Sequence, residues 1–329
     1  MAQKAIFRLI VGSALALPIA LGAEESFFKD RLPSIIKNIG NGFENSEGKE
    51  AIEAEAQNYS LKVANDAIDT AEENILNNTN FTYLDFTLGT DVFGISGSES
   101  QNKMEAMSVY RLYENENIFL FNQTSAVNFD SRTTLNVGLG VRHINDAETL
   151  IVGGNSFYDY ELDSEHKRLG FGIEFITSIV ELRANQYKAQ TGTINHDGID
   201  ETTLDGNDLK LVANMPYFYS SNLFFKHSEF KDGVGYSTKA DEWGIKAEVV
   251  PNLVLGVAQQ KKSGRSAEII ASLNYSIPLG RRSKSEKQKQ DGVWTTKLKP
   301  IRESLYKPVQ RENRIIKKAI KLGVTVSGY

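Results

Sequence analysis

The chain has no cysteine, and after residue 23 it has no apolar run approaching 18 residues. The first absence excludes disulfide staples, thiolate metal sites, iron–sulfur clusters and a cysteine nucleophile. The second excludes a bundle of transmembrane helices. Charged residues, 24% of the total, are too few and too interspersed with aromatics for a disordered chain. The histidines His143, His166, His196 and His227 are scattered without paired spacing, so no metal centre, triad or cofactor is expected. What remains for 329 residues is a folded, loop-rich β protein, or a membrane protein of the kind that lacks long apolar runs.

Lys4 and Arg8 precede an uncharged stretch, Leu9–Ala23, ending in small residues before Glu24-Glu25. A basic start, a short apolar core and small residues read as a signal peptide over 1–23, so the protein is expected to be exported. Residues 24–79 read as an acidic, helical segment, with Ala51–Asn77 free of Pro and Gly. Charge is then split. Residues 281–329 hold 14 Lys/Arg against four Asp/Glu, whereas 24–280 hold 21 against 38. A basic tail suits nucleic acid, anionic lipid or the acidic body itself. Export argues against nucleic acid.

From Phe81 the period is two. Leu135, Val137, Leu139 and Val141 alternate with Asn136, Gly138, Gly140 and Arg142. Leu169 to Phe175 alternate with Arg168, Gly170, Gly172 and Glu174, and Trp243 to Val249 with Gly244, Lys246 and Glu248. Twelve strands are expected, near 80–90, 103–113, 116–127, 130–143, 147–160, 165–176, 178–190, 207–215, 221–231, 236–250, 252–262 and 265–279. Most are about ten residues or longer, the length a tilted strand needs to cross a bilayer. Glycine, Arg and Glu on one side of each strand and apolar residues on the other fit an aqueous lumen with lipid outside. A soluble sandwich is the alternative. The long connections, Val92–Asn102 and Thr191–Gly206, both follow odd-numbered strands and so fall on one side, as external loops of an outer-membrane barrel do.

The stretch Thr133–Arg142, the block Asn155–Tyr160 and His166–Gly172 together resemble the inverse autotransporter β-domain of the intimin and invasin family. So do Leu273-Asn274-Tyr275 and Arg311–Ile316, in the same order. The resemblance covers roughly 80–318. It implies an all-β fold: a twelve-stranded antiparallel transmembrane barrel over 80–280 in the Gram-negative outer membrane. It also implies a basic tail, 281–329, that returns through the pore as a short helix, 299–306, and an extended linker, 307–318. Eleven residues, 319–329, would remain as passenger, with no immunoglobulin-like repeat and no peptidoglycan-binding module. The implied partners are outer-membrane lipid and lipopolysaccharide, the barrel assembly machinery, periplasmic chaperones and an unspecified cell-surface ligand.

On that basis Asn136, Gly138, Gly140, Arg142, Arg168, Gly170, Gly172, Glu174, Glu181 and Glu248 are the lumen-facing candidates. Arg302, Lys307, Arg311, Arg314, Lys317 and Lys318 are the tail candidates. Glu174, Glu181 and Glu248 are expected to pair with Arg302, Lys307, Arg311 and Arg314, and the lumen glycines to leave room for the returning backbone. His166, beside Asp163 and Glu165, reads as solvated turn chemistry, and Asp197, Asp200, Glu201, Asp205 and Asp208 as a solvated external loop, with loose divalent-cation binding near lipopolysaccharide as the alternative. Tyr158, Tyr160, Tyr187, Phe218, Tyr219 and Tyr275 would suit interfacial girdles. A non-enzymatic anchor that exports its own tail is the first expectation. A plugged pore and an outer-membrane hydrolase, using His143 or His166, are the alternatives.

Overall fold

The computed structural model describes residues 80–91, 102–129, 132–215, 221–250, 253–278, 298–321 and 324–327. The signal peptide and helical segment expected before residue 80 lie outside them. The strands are β1 (Phe81–Asp91), β2 (Asn102–Glu114), β3 (Ile118–Phe129), β4 (Arg132–Ile144), β5 (Leu150–Glu161), β6 (Lys167–Thr177) and β7 (Val180–Ala189). There follow β8 (Thr193–His196), β9 (Ile199–Thr203), β10 (Asp205–Asn214), β11 (Ser221–Lys231), β12 (Ser237–Val250), β13 (Leu253–Lys262) and β14 (Glu268–Pro278). A 3₁₀ turn, η1 (Arg302–Tyr306), and two short strands, β15 (Lys317–Lys321) and β16 (Val324–Ser327), complete the elements.

Twelve strands close into an antiparallel barrel in the order β1-β14-β13-β12-β11-β10-β7-β6-β5-β4-β3-β2. The other four form a separate sheet, β16-β15-β9-β8. The twelve expected strands are the twelve barrel strands. Tight turns begin where a short polar side chain accepts from the backbone ahead of it. Asn115 Oδ1 takes the amides of Asn117 and Ile118, and Asn145 Oδ1 those of Thr149 and Leu150. Thr177 Oγ1 takes those of Ile179 and Val180 where β6 reverses into β7.

The alternation points its apolar side outward. Val137, Leu139 and Val141 are 46–55% exposed, while Asn136 and Arg142 on the same strand are fully buried. In water that arrangement would be inverted. Against hydrocarbon it is the stable one, because every wall amide and carbonyl can be used in the ladder of a closed sheet. The end holding the turns after β2, β4, β6, β10 and β12 is called the near rim here. The end holding the turns after β5, β7, β11 and β13 is the far rim.

The acidic stretch after β7 is not an irregular loop, although Asp197 and Asp200 are exposed. It folds back as the hairpin β8–β9, turning at Asp197-Gly198, both at positive φ (51° and 78°). That is the backbone of a type I′ turn, for which Asp-Gly is a preferred pair. Asp205 and Asp208 belong to β10, and Glu201 is buried.

Candidate functional site: the barrel interior and the chain beyond the last strand

Register sets the interior out in rows. One row runs Arg142, Gly153, Glu174, Arg183, Lys210 across β4, β5, β6, β7 and β10. Gly153 lets Arg142 reach across its strand to Glu174, 2.8 Å away, and Glu174 also takes Arg183 at 3.3 Å. A second row runs Gly138, Phe157, Gly170, Tyr187, Gly206, Phe230. Glycine and ring alternate because each ring lies over its neighbour. A Cβ on Gly138 would come 2.3 Å from the Phe157 ring, and one on Gly206 2.1 Å from that of Phe230. Gly140 similarly accommodates Phe121. The lumen glycines thus make room for wall side chains rather than for a returning backbone, which corrects the expectation. Gly170 is the informative exception, since its space holds the Arg311 guanidinium.

Residues 298–318 contact both rims and the rows between them, in order. At the near rim the Lys299 amide donates to Ser178 Oγ and the Ile301 amide to the Glu148 carbonyl, while Arg302 pairs with Glu148 at 2.6 Å. Leu305 and Val309 then join Val109, Phe119, Phe121, Ile144, Ile151, Phe157 and Ile176 in one apolar cluster. The wall next satisfies the segment's backbone, one group at a time. Arg142 donates to the carbonyls of Leu305 and Lys307. Gln123 both gives to the Val309 carbonyl and takes its amide. Asn185 donates to the Gln310 carbonyl, Arg168 to that of Glu312, and Tyr187 Oη accepts the Glu312 amide. A strand passing alone through an enclosed space needs such partners, since unpaired amides and carbonyls are costly there.

Arg311 is the centre of this run. Its guanidinium meets Asp159 through both nitrogens, at 2.7 and 2.6 Å, and lies 4.4 Å over Phe157 and 5.5 Å from Tyr187. Both side chains are essentially inaccessible (1% and 0%). Arg168 shares Asp159 at 2.8 Å. The far end is set in a second apolar cluster, Ile316 with Tyr187, Leu204 and Phe230.

At the far rim the Leu204 amide donates to the Ile316 carbonyl. Lys317 pairs with Glu161 and, at 3.2 Å, with Glu201, and Arg132 bridges the same two carboxylates. Lys318 pairs with Asp232 at 2.9 Å, and that hydrogen bond holds the Asp232 carboxyl below its ordinary range. β15 is then added to β9, with Ala319 opposite Glu201, and β16 to β15. His166 sits under this cluster, fully buried, with Nδ1 against the hydroxyls of Thr203 and Thr191. Burial, with the Lys317 ammonium nearby, pushes its imidazole down to about 4. It is therefore not solvated turn chemistry.

Of the lumen candidates, Asn136, Gly138, Gly140, Arg142, Arg168, Gly170, Gly172, Glu174 and Glu181 face inward and are buried, and Glu248 is half-buried on the face of Gly244 and Lys246. The expected ion pairs are largely different ones. Glu174 is taken by the wall arginines Arg142 and Arg183, and Glu181 by Arg183 at 2.5 Å. Arg302 and Arg311 use Glu148 and Asp159, and Arg314 uses Glu312 of its own segment at 2.9 Å while lying over the Phe129 ring. Lys307 contributes its carbonyl. Asp159 was overlooked although it has inward parity between two outward tyrosines, Tyr158 and Tyr160, which do face out. Tyr187 is buried in the interior, not in a girdle. Phe218 and Tyr219 and the side chain of Tyr275 lie outside the described residues. His143 is on the outer face, away from the interior.

The profile described as "Inverse autotransporter, beta-domain" matches residues 35–313. Invasin of Yersinia enterocolitica is 25% identical over 280 residues, 81% of this chain and 32% of that protein. Intimin of Escherichia coli O157:H7 is 25% identical over 220 residues, 62% of this chain and 23% of that protein. The chain thus matches about a third or less of the length of these relatives. A solved chain from a study named "Unveiling the Mechanism Behind the in-meso Crystallization of Membrane Proteins" superposes with a TM-score of 0.57 at 19% identity. It covers 73% of this chain and 99% of its own length, and it shares the fold.

Proposed function

The chain belongs to the inverse autotransporter β-domain family of the outer membrane, and on that premise we propose that the barrel anchors and translocates its own C-terminal segment. The segment enters from the periplasm at the near rim, runs up the lumen and leaves at the far rim on the cell surface. It acts without enzymatic chemistry, as the surface-display base of an adhesin-type protein. Insertion of the barrel depends on periplasmic chaperones and the barrel assembly machinery.

One observation carries this reading: the contacts of residues 299–318 run in chain order from Ser178 and Glu148 at one rim to Glu161 and Asp232 at the other. Between those points wall side chains meet both the segment's backbone, at residues 305–312, and its side chains, Lys210 on Gln310, Asp159 on Arg311, Lys226 on Glu312 and Glu105 on Asn313. At the exit, β15 captured by the β8–β9 hairpin keeps the segment from sliding back. The two apolar clusters and buried ion pairs that fill the lumen also favour a second reading, a plugged pore whose tail stays inside.

An epitope tag after Tyr329 separates the two. Labelled on intact cells alongside a control tag in the Asp197-Gly198 turn, it is expected to be reached by antibody whenever the control is. Labelling of the control alone would leave a plugged pore and reject translocation.

A further inference from the structure

The outer wall of the barrel is chemically different at its two ends. Near the far rim, the outward positions of β6, β7, β11, β12 and β13 carry Lys167, Lys188, Lys231, Lys239 and Lys261, all but Lys167 exposed. At the near rim the corresponding positions are apolar, such as Phe175, Leu182, Leu223 and Ile245, and among the described residues they include no lysine. His143 and Tyr113 are titratable side chains on that side.

The lysines are not all neutralised. Lys188 pairs with Asp205, and Lys239 with Glu229 at 3.3 Å, while Asp241 takes His227 at 2.6 Å. Lys231 and Lys261 have no ion pair among the described residues, and they flank Lys239 on the neighbouring strands. Arg265, also exposed, lies in the turn beyond β13. His227 and Asp241 come next on the outer face, Asp241 opposite Lys261, and below them the wall is mainly apolar: Leu209, Phe225, Trp243 and Val257 are each 39–58% exposed. A cationic cluster standing on an apolar band fits a ligand with acyl chains in the bilayer and an anion at its head. Long lysine side chains reach up to such a head while their stems stay along the apolar wall.

We propose that Lys231, Lys239 and Lys261 form a binding site for the phosphate groups of a glycolipid of the outer leaflet, with Arg265 above it. The asymmetry matches that membrane, whose surface leaflet carries phosphorylated glycolipid and whose inner leaflet does not. The site rests on the reading that the far rim faces outward, but its chemistry can be measured without reference to orientation.

The test uses the full chain, purified and reconstituted in nanodiscs containing either phosphorylated lipid A or enzymatically dephosphorylated lipid A. Bound lipid is counted by native mass spectrometry, for the parent and for K231Q/K239Q/K261Q. The parent should retain the phosphorylated form at least about tenfold more strongly, since each lysine near an anionic surface contributes roughly a fivefold factor. The triple variant should fall to the level of the dephosphorylated lipid. Equal retention of both lipids by the parent, or undiminished retention by the variant, would overturn the site. Complete displacement by inorganic phosphate, with phosphate itself bound, would also overturn it as a lipid site. Unchanged strand content by circular dichroism in the variant shows that the barrel has folded, and surface labelling of the C-terminal tag tests translocation separately.

Discussion

Inside the barrel, side chains of the wall bind the backbone of residues 305–312; at the far rim, the backbone of one strand binds that of another. The difference follows from closure. A closed wall has spent its amides and carbonyls on its own ladder, so only side chains are left to hold a passing chain. The hairpin β8–β9 has a free edge, and an edge strand accepts another strand irrespective of its side chains. The interior is thus built from specific residues of the wall, and the exit from geometry.

Substitutions should break the two regions differently. Arg142→Ala would remove the donor to two carbonyls and leave Glu174 with Arg183 alone, and breaking such a buried pair costs about 3–5 kcal/mol. It should lower the urea midpoint of the barrel and expose residues 299–318 to protease, whereas Lys307→Ala, which keeps its carbonyl, should do neither. Gly138→Val should cost less, about 1–3 kcal/mol, because the Phe157 ring has to leave its place in the row. Parallel urea titrations of the two glycine-row variants, Gly138→Val and Gly206→Val, would show whether the row acts as a unit.

At the exit the effects should be local. Ala319→Pro takes an amide from the middle of the four-stranded sheet, while Ala319→Ser should be silent. Hydrogen exchange of β16, which faces that amide, is expected to rise in the first and not in the second. Acid should act on the same region. His166 stays unprotonated in the closed rim down to about 4, whereas a released imidazole takes its proton near 6.5. Protonation therefore favours the open rim, and the protection factors of β9 and β15, exchange being corrected for its intrinsic pH dependence, should fall as pH falls from 6.5 toward 4, then level off. His166→Gln would remove that dependence. The smallest effect is expected from Lys318→Gln, about 1 kcal/mol or less, because Asp232 keeps the amides of Val234 and Tyr236.

The barrel strands were legible because alternation is a local signal: Leu135 to Arg142 or Leu169 to Glu174 declares its period without help from the rest of the chain. The lumen face was legible for the same reason. Pairings were not, because Asp159 and Arg311 are separated by 151 intervening residues and meet only through register and threading. Charge totals pointed to an acidic body holding a basic tail, and Glu148, Glu161 and Glu201 do hold tail cations, yet the lumen glutamates Glu174 and Glu181 serve wall arginines. The exit hairpin carried a readable signal, Asp197-Gly198 between Thr193–His196 and Ile199–Thr203, masked by the acidic composition around it. β15 and β16 had no such signal, since short strands added to an edge owe their conformation to the edge.

The absence of cysteine makes the central claim directly measurable by introduced pairs. Glu201→Cys with Ala319→Cys places two thiols on directly opposed residues of β9 and β15. Asn115→Cys with Ala319→Cys places one at each rim. On intact cells treated with an oxidant, the account predicts a disulfide in the first pair and none in the second. A disulfide between residues 115 and 319, with none between 201 and 319, would mean that the segment turns back at the near rim, and would contradict passage through the barrel.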